Sequence, residues 1–186
     1  MHTYGPEVAD VASELIEVYG EVFTAPPWNE GPEAVEDYAA RLDADRLRPG
    51  FRAVVASADT GADGFTTGWT TPDPFPAERS YGRVASQLGP RVAALLGGAF
   101  RVDELAVRER ARRTGLGRTL LEAILKDAAP GGRAWLLTDR KATGAVSFYR
   151  RCGWHEVEPV PGADGGNVIV FLAPGHPEAR SARTAP

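Results

Sequence analysis

Apolar residues recur three or four positions apart over the first part of the chain, which is the spacing of an amphipathic helix. Glu7–Phe23 has this spacing and follows a segment, Met1–Tyr4, with room only for a short strand. Pro32 opens a second segment of helical spacing, with Tyr38 among its inward residues, and this segment ends before Pro49. The pattern therefore predicts a short edge strand followed by two helices.

Strand-like segments follow. Phe51–Ala58 and Phe65–Thr71 are rich in apolar and β-branched residues and predict a hairpin across a glycine-bearing loop, residues 59–64. The connection over residues 72–98 is longer than a hairpin needs, and long connections in compact domains are often functional, so we expect it to shape substrate choice. A helix is predicted at one of two places within it: Arg79–Leu88 or Arg91–Leu96.

The second half of the chain alternates strands and helices. A strand over Val102–Val107 leads through a turn into a helix whose buried face comprises Leu116, Leu120, Ile124 and Leu125. Later elements are a strand over Ala134–Thr138, a short helix capped by Thr143 and ended by Gly153, and a hairpin of Trp154–Val160 with Asn167–Leu172. The pattern predicts one α/β domain over residues 1–173 and a flexible tail over residues 174–186, where Pro, Gly, Ser and Arg dominate.

The turn between the Val102–Val107 strand and its helix has the sequence Arg-Arg-Thr-Gly-Leu-Gly over residues 112–117. A helix that begins in a glycine-bearing turn directs unpaired N–H groups and the positive end of its dipole at one point, which favours a phosphate. A dinucleotide fingerprint would need a third glycine where Leu120 stands, and a nucleotide P-loop would need a Lys before Thr119. An ordinary strand-to-helix turn is the alternative.

The form R-x-x-G-x-G of this turn resembles the pyrophosphate-binding turn of the GNAT superfamily of acyl-CoA-dependent N-acetyltransferases. A second segment is similar to that family's other signature, with Ala145, then Tyr149, then the pair Gly153-Trp154. The resemblance covers residues 99–172. It implies a GNAT fold: a central mixed, mostly antiparallel sheet with splayed parallel strands 4 and 5, flanked by helices.

Two positions depart from the family pattern. An Asn that often contacts the cofactor is replaced by Ala142, and the glycine usual after the first Arg of the turn is replaced by Arg113. Neither change removes the phosphate cradle.

The resemblance also implies how acetyl-CoA, the co-substrate, binds. Its pantetheine arm would pair with backbone groups of Leu105 and Val107 as an added strand does. Further cofactor-binding residues implied are Arg112, Arg113, Gly115, Leu116, Gly117 and Arg118 at the pyrophosphate, with Ala145 and Phe148 on the later helix.

Tyr149 matches the family residue that protonates the departing thiolate. A thiol with a pKa of about 8.5 and a phenol with a pKa of about 10 differ by only about 2 kcal/mol in proton affinity, so the transfer is chemically reasonable. A base for the amine is implied just before Leu105. Asp103 and Glu104 face opposite sides of the strand, so at most one can serve, and Glu104 is our candidate; a water chain or an ion pair with a nearby Arg is the alternative.

Two tryptophans are candidate substrate contacts. The segment that joins the first two helices overhangs the acceptor site in the family, which makes Trp28 either a substrate wall or a cap on the core. Trp69, in the second hairpin strand, is either an acceptor contact or a core residue.

The composition of the chain limits the classes of molecule that it is expected to bind. The chain has 186 residues and a net charge of −4, and this length is sufficient for a hydrophobic core without disulfides. Its one Cys and three His do not have the spacing of metal ligands. The acidic balance argues against nucleic acid, and no apolar run approaches the length of a membrane span. With no signal peptide at the start, we expect a cytoplasmic protein, for which the resemblance allows a homodimer.

The function implied is transfer of an acetyl group from acetyl-CoA to a primary amine of a small molecule, by direct attack. Two alternatives remain: acetylation of a protein or peptide at a Lys or N-terminal amine, and a non-catalytic acyl-CoA-binding module. Tyr149 argues against the last, because binding alone does not need its hydroxyl.

Overall fold

The computed structural model describes residues 1–59, 61–78, 80–163 and 166–179. The chain divides into two compact units. The first comprises Met1–Trp69 and Val102–Ala128, and the second comprises Thr70–Arg101 and Ala129–Pro186. The fourth strand runs from the second unit into the first.

The regular elements follow one another in chain order. The helices are α1 (Ala12–Phe23), α2 (Pro32–Asp45), α3 (Tyr81–Leu88), α4 (Arg91–Leu96), α5 (Leu116–Leu125) and α6 (Thr143–Arg151). The strands are β1 (His2–Tyr4), β2 (Arg52–Ala58), β3 (Gly61–Thr70), β4 (Phe100–Val107), β5 (Ala134–Asp139), β6 (His155–Glu156) and β7 (Val168–Leu172).

The strands are hydrogen-bonded in the order β1-β2-β3-β4-β5-β7-β6. The β1-β2, β2-β3, β5-β7 and β6-β7 ladders are antiparallel. β4 and β5 are parallel, and their ladder joins Phe100 to Ala134 and Arg101 to Trp135, at the start of both strands. The predicted α/β class, with a mixed and mostly antiparallel sheet flanked by helices, is confirmed.

The core of the first unit lies between its sheet and the helices α1 and α2. Leu15 and Val18 of α1 are fully buried, and Tyr38 and Leu42 of α2 lie in the same cluster. These positions have the helical spacing that the sequence showed, so burial of the two apolar faces explains why both helices form.

β3 and β4 approach each other closely within the first unit, and a glycine allows it. A Cβ added at Gly64 would lie 2.7 Å from the carbonyl oxygen of Ala106. The N–H of Arg108 donates to the carbonyl of Asp63 at 2.9 Å just beyond β4. Only a residue without a side chain fits this approach.

The second unit has an aromatic core of its own. Tyr81 and Trp135 are fully buried, and Phe75 packs against both rings with centroid separations of 5.2 and 6.2 Å. The Trp135 indole N–H donates to the hydroxyl of Thr71 at 2.7 Å, which satisfies the polar atom of the buried ring. The long connection before β4 therefore contributes to this core.

Several element boundaries differ from prediction in the first half. Residues Pro6–Val11 form a 3-10 helix, and the α-helix begins only at Ala12. β3 begins at Gly61, so the loop predicted over residues 59–64 is shorter; its residue Thr60 lies outside the described residues. The sequence predicted one helix in the long connection, and both α3 and α4 form; the start predicted at Arg79 lies outside the described residues.

Corrections also apply in the second half. Leu121, which was not predicted, is buried in α5, whereas Leu116 and Leu125 are only half-buried. Thr143 is the first residue of α6 and not its cap, because Ala142 takes that place. The strand predicted over Trp154–Val160 is reduced to β6.

The first residues of the predicted tail lie in a packed segment. His176 and Ala179 are buried, and the His176 Nε2 lies 2.9 Å from the carbonyl oxygen of Leu95. Because Glu178 N–H donates to Nδ1 at 3.1 Å, the proton is on Nε2. Residues 174–179 are thus packed, and the remainder of the predicted tail, residues 180–186, lies outside the described residues.

Helices of membrane-spanning length and apolarity do not occur in the described parts of the chain.

Candidate active site

The turn before α5 reverses the chain through two left-handed residues. Arg112 is extended, Arg113 has a φ of 62°, and Gly115 has φ 93° and ψ −8° as the residue that precedes the helix. The backbone of Gly115 takes this conformation at little cost because glycine lacks a Cβ. Arg113 takes it at a cost, because its side chain disfavours the left-handed region.

The turn is held by its own side chains. The Thr114 hydroxyl donates to the carbonyl of Ala111 at 2.8 Å and accepts the N–H of Leu116 at 3.4 Å. Arg112 Nε donates to the carbonyl of Val107 at 3.2 Å. These contacts fix the end of β4 against the start of α5.

The outer surface of the turn is basic and open. Arg112, Arg113, Gly115 and Arg118 are exposed. The first N–H groups of a helix have no acceptor within it, and the helix dipole adds positive potential at the same point. Leu116 differs from the other predicted donors, because Thr114 accepts its N–H. Exposed guanidinium groups and a glycine at the helix start fit a phosphate group.

β4 carries the predicted residues that precede the turn. Asp103, Glu104, Leu105 and Val107 are half-buried, and Ala106 is buried in the core of the first unit. The hydroxyl of Thr66 in β3 donates to the carbonyl of Glu104 at 2.8 Å. Glu104 shares a strand face with Ala106, since alternate residues of a strand point to the same side.

The side chain of Glu104 influences two tyrosines of the first unit. Burial first, and the charge of Glu104 second, raise the pKa of Tyr19 in α1 well above its usual value. The same two causes, in the same order, raise the pKa of Tyr38 in α2, with a smaller contribution from Asp103. Both phenols therefore keep their protons at neutral pH, and of the two predicted carboxylates Glu104 acts more strongly on them.

The two tryptophans occupy different environments in the first unit. Trp28 is half-buried, and its ring lies 5.4 Å from that of Phe23. Trp69 is 1% exposed in the core, and the guanidinium of Arg48 lies 5.0 Å from its ring centroid. Trp28 thus has surface left for a ligand, and Trp69 has the core environment that was one of its two predicted roles.

α6, in the second unit, carries the remaining candidates. Tyr149 is 9% exposed, and its ring contacts Phe148, Trp154 and Phe171 at centroid separations of 5.3, 6.2 and 5.7 Å. Phe148 and Ala145 are half-buried. The helix ends as predicted, since Gly153 follows it with a φ of 81°.

The first unit thus contains the turn before α5, the β4 residues from Asp103 to Val107 and the two tryptophans, and the second unit contains Ala145, Phe148 and Tyr149. Residues 86–169, which include most of these candidates, match the family described as acetyltransferase (GNAT) domain. Over these residues the chain is similar to a GNAT acetyltransferase domain. The matched region includes every candidate cofactor-binding residue together with Glu104 and Tyr149, and the resemblance that the sequence motifs carried is confirmed.

Solved structures support the GNAT fold over nearly the whole chain. An acetyltransferase from Thermus thermophilus is 18% identical, with a TM-score of 0.61, over 92% of this chain and 96% of that one. The PaiA N-acetyltransferase from Thermoplasma acidophilum, solved in complex with coenzyme A, is 18% identical, with a TM-score of 0.57, over 93% of this chain and 99% of that one.

An aminoglycoside acetyltransferase from an uncultured soil metagenomic sample, in complex with sisomicin, is 15% identical, with a TM-score of 0.52, over 81% of this chain and 84% of that one. At these identities the likeness concerns the fold. No curated protein matches the sequence.

Sequence reasoning missed a polar cluster in the first unit, whose two tyrosines are within reach of the charge of Glu104. It consists of Tyr19, Glu30, Tyr38 and Arg41. Tyr38 was assigned only a core role from its helical spacing. A tyrosine at a buried position was the available signal, because its hydroxyl needs a partner that a purely apolar core does not supply.

Proposed function

We propose that this protein is an acyl-CoA-dependent N-acetyltransferase that transfers an acetyl group from acetyl-CoA to the primary amine of a small molecule by direct attack. The observation that carries the proposal is the turn over residues 112–118, where a left-handed Gly115 leads into α5 beneath exposed arginines. This arrangement suits the pyrophosphate of acetyl-CoA.

The cofactor-binding residues divide by the part of acetyl-CoA that they would hold. The backbone N–H groups of Arg113, Gly115, Gly117 and Arg118 would bind the pyrophosphate, with Arg112 adding charge. Leu105 and Val107 would pair with the pantetheine arm as a neighbouring strand does. Ala145 and Phe148 of α6 would contribute apolar contacts.

When bound, acetyl-CoA would supply an activated acyl group with a thiolate leaving group. The Val107 N–H would stabilise negative charge on the thioester oxygen. Glu104 would accept a proton from the amine, directly or through water, and Tyr149 would donate a proton or a hydrogen bond to the departing thiolate. No covalent acyl-enzyme is required.

Acceptor binding is assigned to Trp28 and Trp69. Trp28 is half-buried on the segment between α1 and α2, so its ring can form an apolar wall for a compact acceptor. Trp69 is buried, so a contact with the acceptor would need its surroundings to open. The sisomicin complex of a similar fold supports a small-molecule acceptor over a peptide.

The test is continuous recording of thiol release from acetyl-CoA while the purified protein is offered small amines, aminoglycosides and short peptides. We expect acceptor-dependent release with a small amine. Release only with peptides would favour protein acetylation, and tight acetyl-CoA binding without release from any acceptor would favour a binding module.

Two further expectations accompany this function. The single cysteine and acidic composition suit a reducing cytoplasm, which fractionation of the native host would test. A homodimer would be detected by light scattering coupled to size-exclusion chromatography.

A further inference from the structure

A buried arginine joins the end of β4 to helix α1 in the first unit. Arg108 directly follows β4, and its side chain is only 7% exposed. Its guanidinium pairs through Nη2 with Glu17 Oε1 at 2.7 Å and through Nη1 with Glu21 Oε1 at 3.1 Å. Glu17 and Glu21 lie one helical turn apart on α1, so the planar guanidinium contacts the helix at two points.

Stability does not explain why an arginine occupies this position. The Arg108 Nε is buried and has no hydrogen-bond partner among the described residues, while the side chains of Glu17 and Glu21 are 64% and 50% exposed. Taking a guanidinium out of water is costly, and an apolar side chain of similar volume in place of such a buried charge is often neutral or stabilising. The arginine adds direction, because charge-assisted hydrogen bonds fix distances and angles more narrowly than apolar contacts do.

The end of α1 that Glu21 occupies leads into the segment that carries Trp28. α1 ends at Phe23, whose ring lies 5.4 Å from that of Trp28. The N–H of Glu30 donates to the carbonyl of Phe23 at 2.9 Å, which closes the segment against the end of the helix. The position of α1 therefore sets the position of the Trp28 ring.

The backbone around Arg108 is held independently of its guanidinium. The N–H of Arg108 donates to the carbonyl of Asp63 at 2.9 Å, and Arg110 Nε pairs with Asp63 Oδ1 at 2.7 Å. Arg112 Nε donates to the carbonyl of Val107 at 3.2 Å. Loss of the Arg108 side chain would thus release α1 and leave the end of β4 and the turn before α5 in place.

We infer that Arg108 is a positioning residue for acetyl transfer, which holds α1 through Glu17 and Glu21 and thereby keeps the Trp28 ring at a fixed distance from the Val107 N–H. The inference rests on the proposed function, which assigns the acceptor to Trp28 and the thioester oxygen to the Val107 N–H. Arg108 acts on acceptor binding in particular, because the turn before α5 has contacts of its own.

Arg108→Met tests the inference, since it removes the charge and keeps much of the side-chain volume. Both carboxylate partners remain solvated, so the melting temperature should equal or exceed that of the wild type. KM for the acceptor identified by thiol release should rise about 10-fold or more, with kcat within about threefold and Kd for acetyl-CoA within about twofold of wild type.

Amide hydrogen exchange followed by nuclear magnetic resonance provides a readout that needs no turnover. In Arg108→Met, exchange at the Glu30 amide should accelerate about 10-fold or more, because the segment after α1 is no longer held. Exchange should remain unchanged at the Thr71 amide, which donates to the carbonyl of Ala99 in the second unit.

The double variant Glu17→Gln with Glu21→Gln removes the same contacts but leaves the Arg108 charge buried. It should show the same rise in acceptor KM and should also melt about 4 °C or more below the wild type. In the Arg108→Met background the two glutamate substitutions should not raise KM further, because the contacts that they remove are already absent.

Arg110→Met is the matched control. It breaks the ion pair with Asp63, in which Arg110 is exposed, and this pair does not include α1. Acceptor KM and exchange at Glu30 should stay within about twofold of wild type.

A melting temperature for Arg108→Met well below that of the wild type, with faster exchange at Glu30 and Thr71 alike, would overturn the inference, because the arginine would then be structural. Unchanged exchange at Glu30, or additive effects of the three substitutions on KM, would also overturn it. If no acceptor supports thiol release, the proposed function fails, and exchange at Glu30 still decides whether Arg108 holds the Trp28 segment.

Discussion

The left-handed glycine before α5 makes a prediction for stability and for cofactor binding together. Gly115 has a φ of 93°, and a Cβ added there would meet no atom within 4 Å. Gly115→Ala therefore creates no clash within the protein, and its cost is that of a left-handed alanine, about 1–2 kcal/mol. The smaller freedom of alanine in the unfolded chain offsets about 0.4–1 kcal/mol.

The net loss is about 1 kcal/mol, which lowers the melting temperature of a chain of this size by about 2–4 °C. The added methyl group also faces the open side of the proposed phosphate cradle. Loss of one hydrogen bond to a charged oxygen costs about 1.5–3 kcal/mol, so Kd for acetyl-CoA should rise about 10- to 100-fold. Thermal unfolding and calorimetric titration measure the two effects.

Two glycines are matched controls. Gly98 has a φ of 68° and equally open surroundings, so Gly98→Ala should lose similar stability with no change in acetyl-CoA affinity. Gly144, in the first turn of α6, also has open surroundings but no left-handed φ, so Gly144→Ala should gain up to about 1 kcal/mol. Acetyl-CoA affinity within twofold of wild type in Gly115→Ala would refute the phosphate cradle.

Three further predictions follow from other parts of the chain. Tyr149→Phe should lose at least 10-fold in kcat while its Kd for acetyl-CoA stays within twofold of wild type, and normal turnover would remove Tyr149 from the mechanism. Gly64→Ala should lose about 1–3 kcal/mol in urea unfolding, because its Cβ would lie 2.7 Å from the Ala106 carbonyl oxygen; a stability equal to wild type would mean that β3 and β4 are not so close. Burial, the largest cause, lowers the pKa of His176 below 6.5, so its contribution to stability is complete above pH 6.5 and is lost as the pH falls through the lowered value. Melting temperatures of wild type and His176→Asn should therefore converge on acidification, and a constant difference between them would contradict this reasoning.

The backbone of the turn before α5 was predictable because its information is local. The glycine at residue 115 follows a strand and precedes an amphipathic helix, and the left-handed conformation forms within those few residues. The structure also accounts for the departure at Arg113, whose φ of 62° lies in the region where glycine is favoured. An arginine at this position strains the backbone, and it adds a positive charge to the turn.

Features set by contacts between distant residues were not predictable. The Tyr38 ring was correctly placed inward from helical spacing, but the spacing could not show that its hydroxyl lacks a partner or that Glu104 lies near it. The packing of His176 depends on the carbonyl of Leu95, far away in sequence. Proline and glycine around that segment predicted a flexible tail. The segment is packed because the imidazole ring of His176 is buried.

The start of β3 was missed for a related reason. Gly61 and Gly64 indicate a loop when local propensity alone is considered. In the fold, Gly64 lies within a strand because a neighbouring backbone approaches it closely. A glycine needed for close approach and a glycine needed for a turn are identical in a sequence, and only the neighbouring strand distinguishes them.

The central claim is that the turn over residues 112–118 binds the pyrophosphate of acetyl-CoA. The most direct measurement is nuclear magnetic resonance of the ¹⁵N-labelled protein, titrated in parallel with acetyl-CoA and with acetyl-pantetheine, which lacks the pyrophosphate. We predict that the backbone amide signals of Gly115 and Gly117 shift strongly with acetyl-CoA and remain in place with acetyl-pantetheine. No shift with acetyl-CoA, or equal shifts with both compounds, would contradict the claim.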